Sequence, residues 1–360
     1  MIQSTFGALI LNEVEMQEAV LRPCVSVVIV HHKGVERLLN CLESLFKTDY
    51  DNIQVFLVDN GSRDNSVDFA EKIYGDRLKI IRSKTNLGFV GGNNLALKHV
   101  WGKYVVLLND DTEVAPDWLS HIVDVAEGDS SIGAVQPKLL SLTAPRYFEY
   151  NGCAGGMMDA YGVPLCRGRV FDVIEEDRGQ YDSASEIFWA GGAAILIRRE
   201  VLDETGLLDE NFFAHMEEID LCWRIRLRGY RILSAPSSIV YHLGGGTLVP
   251  EKYYLKHRNN LVMMLKNYSF SGLLRFFSLR IALDALCFMY YVIRGDRSRS
   301  LCVLKSYAWL LRRLGSVYRS RSVVQKIRKV SDREILGRMM KKSVVIQHFI
   351  MRRKYFSQVY

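Results

Sequence analysis

The chain has 360 residues, 47 Lys or Arg against 40 Asp or Glu, a formal net charge of +7 and 49% hydrophobic residues. That apolar content excludes a disordered chain, and 27 Gly and 7 Pro without a period exclude a collagen-like or low-complexity one. Seven Cys with no CxxC pair exclude a small disulfide scaffold and read as reduced, buried thiols in a cytosolic protein.

Residues 1–24 read as an N-terminal extension. Its first twenty residues lack a basic n-region and contain Glu13, Glu15 and Glu18, so no secretory leader is expected. "VSVVIV" at 25–30 predicts a buried parallel strand, because β-branched residues run on without alternation. Residues 35–48 predict a helix, with Leu38, Leu39, Leu42, Leu45 and Phe46 at helical spacing. "IQVFLVDNGSRDNS" is a second strand ending in a polar turn, and 65–74 a second helix. "LKIIRS" is a third strand, "NLGFVGGNNLALKHV" a Gly-rich turn entering a helix, and "KYVVLLNDDTEV" a fourth strand with two carboxylates at its end. This β-α-β-α-β-α-β alternation predicts an α/β fold with a doubly wound, mostly parallel sheet. Ligands in such sheets sit beyond the carboxyl ends of the strands. Asp59, the turn at 86–94 and Asp110-Asp111 fall at those ends.

A helix follows around 118–127, then a polar, irregular stretch of hairpins and loops at 141–187. "IFWAGGAAILIRREV" predicts a strand running into a helix, "FFAHMEEIDLCWRIRLRGY" a helix, and "RILSAPSSIVYHLGGG" a strand ending at His242. Composition changes near 250, which divides the chain into one α/β domain at 25–250 and a basic, mainly helical region at 251–360. No internal repeat is visible. The helical region holds 24 Lys or Arg against 5 Asp or Glu, a net +19; residues 1–250 hold 23 against 35, a net −12. A tail so basic seeks an anionic partner, a membrane face or nucleic acid. It carries no nucleic-acid-binding motif, which favours the membrane.

"LLRFFSLRIALDALCFMYYVI", 273–293, is about long enough to span a bilayer, but Arg275, Arg280 and Asp284 interrupt it. It fits best as an element lying in the membrane interface, with Arg294, Arg297 and Arg299 at the headgroups. A buried soluble helix and a true span are the alternatives.

Several clusters carry chemistry. Asp110 and Asp111 at a strand end offer hard oxygen ligands for a divalent cation shared with phosphates. Asp59 can accept from a nucleobase or ribose, or simply close an Asx-turn. Glycines 88, 91 and 92 let backbone approach a ligand closely. Their spacing is not GxGxxG, and there is no GxxxxGK[ST] phosphate loop. Glu217, Glu218 and Asp220 crowd one apolar helix, where one of them can serve as a general base. His242 is a candidate third metal ligand.

Taken in order, "VSVVIVHHKG", "VDNGSRDNS", "NLGFVGGNN", "LLNDDTEV", "WAGGAAILIRREV", "GLLDENFFAHMEEIDLCWRIRLRGYRIL" and "VYHLGGGT" resemble the inverting family 2 glycosyltransferases of GT-A fold, over about 25–260. The likeness is nearest to their bacterial rhamnosyltransferase-like and galactofuranosyltransferase-like branch. The resemblance implies that Asp59 contacts the nucleobase and that Asn86, Gly88 and Asn93 line the donor. It implies that Asp110 and Asp111 form a variant DxD holding Mg²⁺ or Mn²⁺, with Asn109 in place of the first Asp. His242 would match the family's metal-binding His. Trp189, Gly191 and Gly192 would border the acceptor and donor sugar. Glu217-Glu218 stands where Glu-Asp is usual, so the base is one of these two.

The activity so implied is inverting, metal-dependent transfer from a nucleotide sugar, dTDP-rhamnose first and UDP-hexoses second. The acceptor would be a lipid-linked saccharide of a surface polysaccharide, reached by a peripheral protein on the cytosolic membrane face. Two other classes were weighed: a nucleotidyltransferase, for which only Lys33 and Gly34 stand where a triphosphate-binding signature is needed, and a catalytically degenerate domain recruited by its basic tail. Nothing in the sequence sets an oligomeric state.

Overall fold

The computed structural model describes residues 22–244 and 250–360. Most of the N-terminal extension, and Gly245 and Gly246 of the glycine run after His242, lie outside them.

Strands β1 (Val25–His31), β2 (Ile53–Asn60), β3 (Leu78–Ser83) and β4 (Tyr104–Asn109) are parallel, with β1 between β2 and β4. Helices α1 (Val35–Leu45), α2 (Ser66–Tyr74) and α3 (Gly88–Leu97) connect them. Uninterrupted apolar strands are covered on both faces, as the runs of Val, Ile and Leu require.

The fourth strand ends at Asn109, earlier than the sequence suggests. Asp110 and Asp111 make a turn, and β5 (Thr112–Val114) starts afresh at the far edge of the sheet. Helix α4 (Trp118–Glu127) leads to β6 (Ile132–Ser141), a central strand absent from the sequence reading. The stretch at 141–187 contains a small antiparallel sheet of β7 (Gly156–Met158), β8 (Pro164–Cys166), β9 (Arg169–Val170) and β10 (Val173–Ile174). Strand β11 (Ala194–Arg198) and helix α5 (Arg199–Thr205) follow, then α6 (Glu217–Leu227) and β12 (Arg231–His242). The large sheet has the order β3-β2-β1-β4-β11-β6-β12-β5. β11 is antiparallel to both neighbours, so the sheet is mixed. β12 pairs antiparallel with β5, His242 opposite Thr112. That register brings His242 beside the Asp110-Asp111 turn, across 131 residues of chain.

The helix expected to begin at Phe212 starts only at Glu217. Phe213, His215 and Met216 have φ of 46°, 70° and 72°, the left-handed region that side chains disfavour by about 1–3 kcal/mol each. Helix α7 (Pro250–Asn267) holds this segment in place. Asn259 Nδ2 donates to the Ala214 and His215 carbonyls at 2.9 and 2.7 Å, and Arg258 donates to the Asn211 carbonyl at 2.9 Å.

The change of charge at 250 is a change of surface. Leu261, Val262, Met263 and Met264 of α7 share one core with Val28, Val58 and Leu107 of the sheet. Helix α8 (Phe270–Ile293) runs 24 residues with mean hydropathy 1.6, long and apolar enough to cross a membrane, and only 17% of its most apolar stretch is buried. Two of its three charges point inward, Arg275 being exposed: Arg280 Nε donates to Asp284 at 2.8 Å, and Asp284 accepts from Tyr307 of α9 (Arg297–Ile327) at 2.8 Å. Phe270, Leu286 and Ile293 point outward, 67–80% exposed. The helix is thus amphipathic in the reverse of the soluble sense.

Candidate active site

The carboxyl ends of β1, β2 and β3 open onto a cavity of about 600 Å³ lined by His32, Lys33, Gly61, Arg63, Asp64, Lys84, Thr85 and Asn86. That volume suits a small-molecule ligand, and its cations suit an anionic one. Gly61, at φ +74°, admits no side chain, since a Cβ there would stand 2.7 Å from the Thr85 backbone. Asp59 borders this cavity without lining it. Its carboxylate accepts from the Ser62 amide at 2.9 Å and pairs with Arg82 at 3.2 Å. Asn86 Oδ1 accepts from the Gly88 amide at 2.8 Å and from Asn60 Nδ2 at 3.2 Å, which fixes the Gly-rich turn to β2. Gly88 (φ +72°) is pressed against Phe213: a Cβ would meet its ring and carbonyl at 2.6 Å. Asn93 departs from its expected place on the donor. It is 1% exposed and its Nδ2 turns back to the Phe89 carbonyl at 2.9 Å.

The two adjacent carboxylates take different parts. Asp110 Oδ2 is 2.6 Å from His31 Nδ1 and 2.8 Å from an Arg37 guanidinium nitrogen. His31, fully buried, reaches on to Ser66 Oγ at 2.7 Å. Asp110 is therefore occupied by protein. Asp111 turns the other way, its Oδ1 3.0 Å from His242 Nε2. Asp111 also lines a second cavity of about 280 Å³ with Glu36, Arg37, Asn40 and Leu243. On the far side of His242, Glu149 Oε1 stands 3.2 Å from Nδ1, and neither atom completes an aligned hydrogen bond. Burial pulls the His242 imidazole down, but pairing with Asp111 and Glu149 outweighs it and lifts the group to about 10. Burial likewise works against Asp111, and the His242 contact wins and holds the carboxyl below its usual range.

This donor set fits a divalent cation. Among the described residues no three His, Cys, Asp or Glu side chains converge into a cage. A hard cation that keeps phosphate oxygens and water as ligands needs only one or two from the protein. Asp111 and His242 would supply them, and the unaligned Glu149 carboxylate, 3.2 Å from Nδ1, is placed to orient the imidazole from its far side. Metal uptake would displace the His242 proton.

The acidic helix α6 divides similarly. Asp220, fully buried, pairs with Arg224 Nε and Lys266 Nζ, both at 3.0 Å, and accepts from Asn267 Nδ2 at 2.9 Å. It is structural and removed from the candidates for base. Glu217 is 5% exposed, whereas Glu218 is half-buried beside Gly192. Each has an Oε2 without a hydrogen-bond partner. Burial raises both carboxyls above the usual range, Glu217 further because Glu218 is next to it. A carboxyl so raised is suited to accept a proton.

Gly191 donates to Gln136 Oε1 at 2.7 Å, and a Cβ on it would stand 2.5 Å from the Asn151 carbonyl. Trp189 is a correction to the sequence reading. It is 3% exposed, its indole packs against Gly156 and its Nε1 donates to the Met157 carbonyl at 2.8 Å, so it is held in the core. Glu149 carries no sequence signal of a role in the site; it acts through His242, far away in sequence.

The Glycosyl transferase family 2 profile matches residues 26–205. An uncharacterised protein of Sinorhizobium fredii is 29% identical over 61% of the chain, which spans 24% of that protein's length. The N-acetylglucosaminyl-diphospho-decaprenol L-rhamnosyltransferase of Mycobacterium tuberculosis is 25% identical over 60% of the chain and 75% of its own. The crystal structure of GalNAc-T7 with UDP, GalNAc and Mn²⁺ superposes with a TM-score of 0.56 at 19% identity, over 71% of this chain and 49% of that one. The fold is GT-A, and the chain belongs to glycosyltransferase family 2.

Proposed function

We propose that the protein transfers a sugar, with inversion, from a nucleoside-diphosphate donor to a hydroxyl of a lipid-linked saccharide in surface-polysaccharide synthesis. Rhamnose is the first choice of sugar, supported by the rhamnosyltransferase relative. The observation that carries the reading is the 3.0 Å contact of Asp111 with His242 at the ends of β4 and β12.

The donor's base and diphosphate enter the cavity between His32 and Asn86, where Lys33, Arg63 and Lys84 offset negative charge. Mg²⁺ or Mn²⁺, held by Asp111 and His242, would supply charge neutralisation at the departing diphosphate. The acceptor hydroxyl lies over Gly192, in the space bordered by Phe89 and Glu218, and gives its proton to Glu218. Oxygen then attacks the anomeric carbon from the face opposite the diphosphate. One displacement inverts the centre and needs no protein nucleophile. The exposed apolar face of α8 and the +19 charge of 251–360 hold the protein on the cytosolic membrane face.

The test is a transfer assay with dTDP-rhamnose, Mn²⁺ and a diphosphate-linked saccharide in vesicles, reading the new linkage by NMR. An inverted anomeric centre is expected. A retained centre contradicts the mechanism.

A further inference from the structure

Three cations stand together on the acceptor side of Glu218 and serve none of the steps above. The ring of Tyr150 lies between Glu149, which faces His242, and Asn151, whose carbonyl backs Gly191. Arg169 Cζ is 4.1 Å from the centre of that ring, and Lys256 Nζ is 5.4 Å from it. Lys252 is one helical turn before Lys256, on the same face of α7.

These charges are unusually bare. Lys266, on the same helix, is neutralised by Asp209 and Asp220. Lys252 and Lys256 form no ion pair among the described residues. Arg169 is 8% exposed, yet among the described residues its guanidinium donates only to the Phe171 carbonyl and the Cys166 sulfur, and its buried Nε has no partner there. Burial, then the charge of Arg169 and, after it, of Lys252, hold the Lys256 amine below its usual range against the opposing pull of the Glu218 and Glu149 carboxylates. Burial and these two lysines together hold His215 down to about 4, so that it is neutral at pH 7. Like charges gathered in a partly desolvated site repel, and a bound anion relieves that cost.

We propose that Lys252, Lys256 and Arg169 form a second anion subsite, separate from the donor cavity, that takes the diphosphate of the acceptor. The inference rests on the lipid-linked acceptor of the proposed function and assigns where its phosphates sit. The position is consistent with that ligand at both ends. Toward the chemistry, the charge of Lys256 reaches Glu218. Toward the lipid, Tyr253 of the same α7 turn bonds Tyr291 Oη at 3.1 Å, near the end of the outward-facing apolar helix α8. A diphosphate on the lysines would lay its lipid along α8 and its sugar hydroxyl at Glu218.

The experiment titrates inorganic pyrophosphate and farnesyl diphosphate into the full chain by calorimetry in EDTA. The wild type and the donor-cavity variant Lys33→Gln/Lys84→Gln are expected to bind both equally. The Lys252→Gln/Lys256→Gln double variant is expected to bind both at least tenfold more weakly, the order of one lost charge-assisted hydrogen bond. Lys256→Arg with Lys252 in place should retain binding, which separates charge from folding. Equal binding by the Lys252→Gln/Lys256→Gln variant overturns the subsite. Loss of binding in Lys33→Gln/Lys84→Gln overturns it too, because pyrophosphate would then occupy the donor site. Sedimentation with phosphatidylglycerol vesicles distinguishes the source of phosphate. A double variant that loses vesicle binding but keeps farnesyl diphosphate overturns the acceptor assignment in favour of a headgroup. Metal-dependent donor binding, titrated separately, reports on the transferase reading alone.

Discussion

Asp110 lies 2.6 Å from the buried imidazole of His31, across the parallel pair β1 and β4, and so does not act as the twin of Asp111. The pairing clamps the strand end and leaves Asp111 to face His242. Substitution should separate the two. Asp110→Asn removes the negative partner of His31 and Arg37 and is expected to lower stability by about 2–3 kcal/mol, while Mn²⁺-dependent donor binding survives. Asp111→Asn should lose donor binding, with a stability cost no larger than that of Asp110→Asn because Glu149 still faces His242. Thermal unfolding and calorimetry on both variants check this; equal loss of donor binding in both would contradict it.

Glu218 is the half-buried member of the glutamate pair and neighbours Gly192. Glu218→Gln is expected to lower kcat by about 10²–10⁴ with donor affinity unchanged, and Glu217→Gln by less than tenfold. Because burial raises the Glu218 carboxyl, activity should climb with pH through a value above the ordinary 4.5. A pH–rate profile of wild type and Glu217→Gln reads this. An acid limb that disappears in Glu217→Gln would transfer the role to Glu217.

Lys266 ties α7 to the loop before α6 through Asp209 and to α6 itself through Asp220. Burial raises the Asp209 carboxyl, but the Lys266 charge and hydrogen bond outweigh it and bring it down to about 2. A folded value below the unfolded one stabilises the protein above the unfolded value, near 4, and the gain is lost as pH falls toward about 2. The expected contribution is about 2 kcal/mol, seen as a falling melting temperature over that window. Lys266→Met should cost about 3 kcal/mol or more at pH 7, since Asp209 loses its cation and the buried Asp220 keeps only Arg224. A flat acid profile in wild type would refute the assignment.

Helix α8 turns Leu274 and Leu286 outward, 65% and 67% exposed, with Arg280 and Asp284 inward. Leu274→Asp/Leu286→Asp is expected to weaken binding to phosphatidylglycerol vesicles at least tenfold without lowering the melting temperature, because no core contact is lost. Raising salt should weaken wild-type binding in part only, since the apolar term is not screened. Vesicle binding unchanged in this variant would remove the membrane role of α8.

Much of the fold was legible because β1, β2 and β4 are apolar runs buried along most of their length, whereas the edge strand β3 exposes Lys79 and Arg82. Strand β6 was not, because "IGAVQPKLLS" carries Gly133, Gln136, Pro137 and Lys138, residues that argue against a central strand. Pro137 is accommodated where β12 slips register between Ala235 and Ile239, and Lys138 finds Asp177 at 2.8 Å. Carboxylates at strand ends could be read as ligands, but not which neighbour each one meets. His31 finds Asp110 across 79 residues, and Glu149 finds His242 from a loop without a pattern. The bend at 213–216 depends on Asn259, a contact no local sequence signal records.

The most direct measurement of the central claim is release of nucleoside diphosphate from a panel of nucleotide sugars by the purified chain, in Mn²⁺, Mg²⁺ and EDTA. Release from one donor that needs the metal and vanishes in Asp111→Ala and in His242→Ala is the expected result. Release that persists in EDTA and in both variants would contradict a role for the Asp111–His242 pair in transfer.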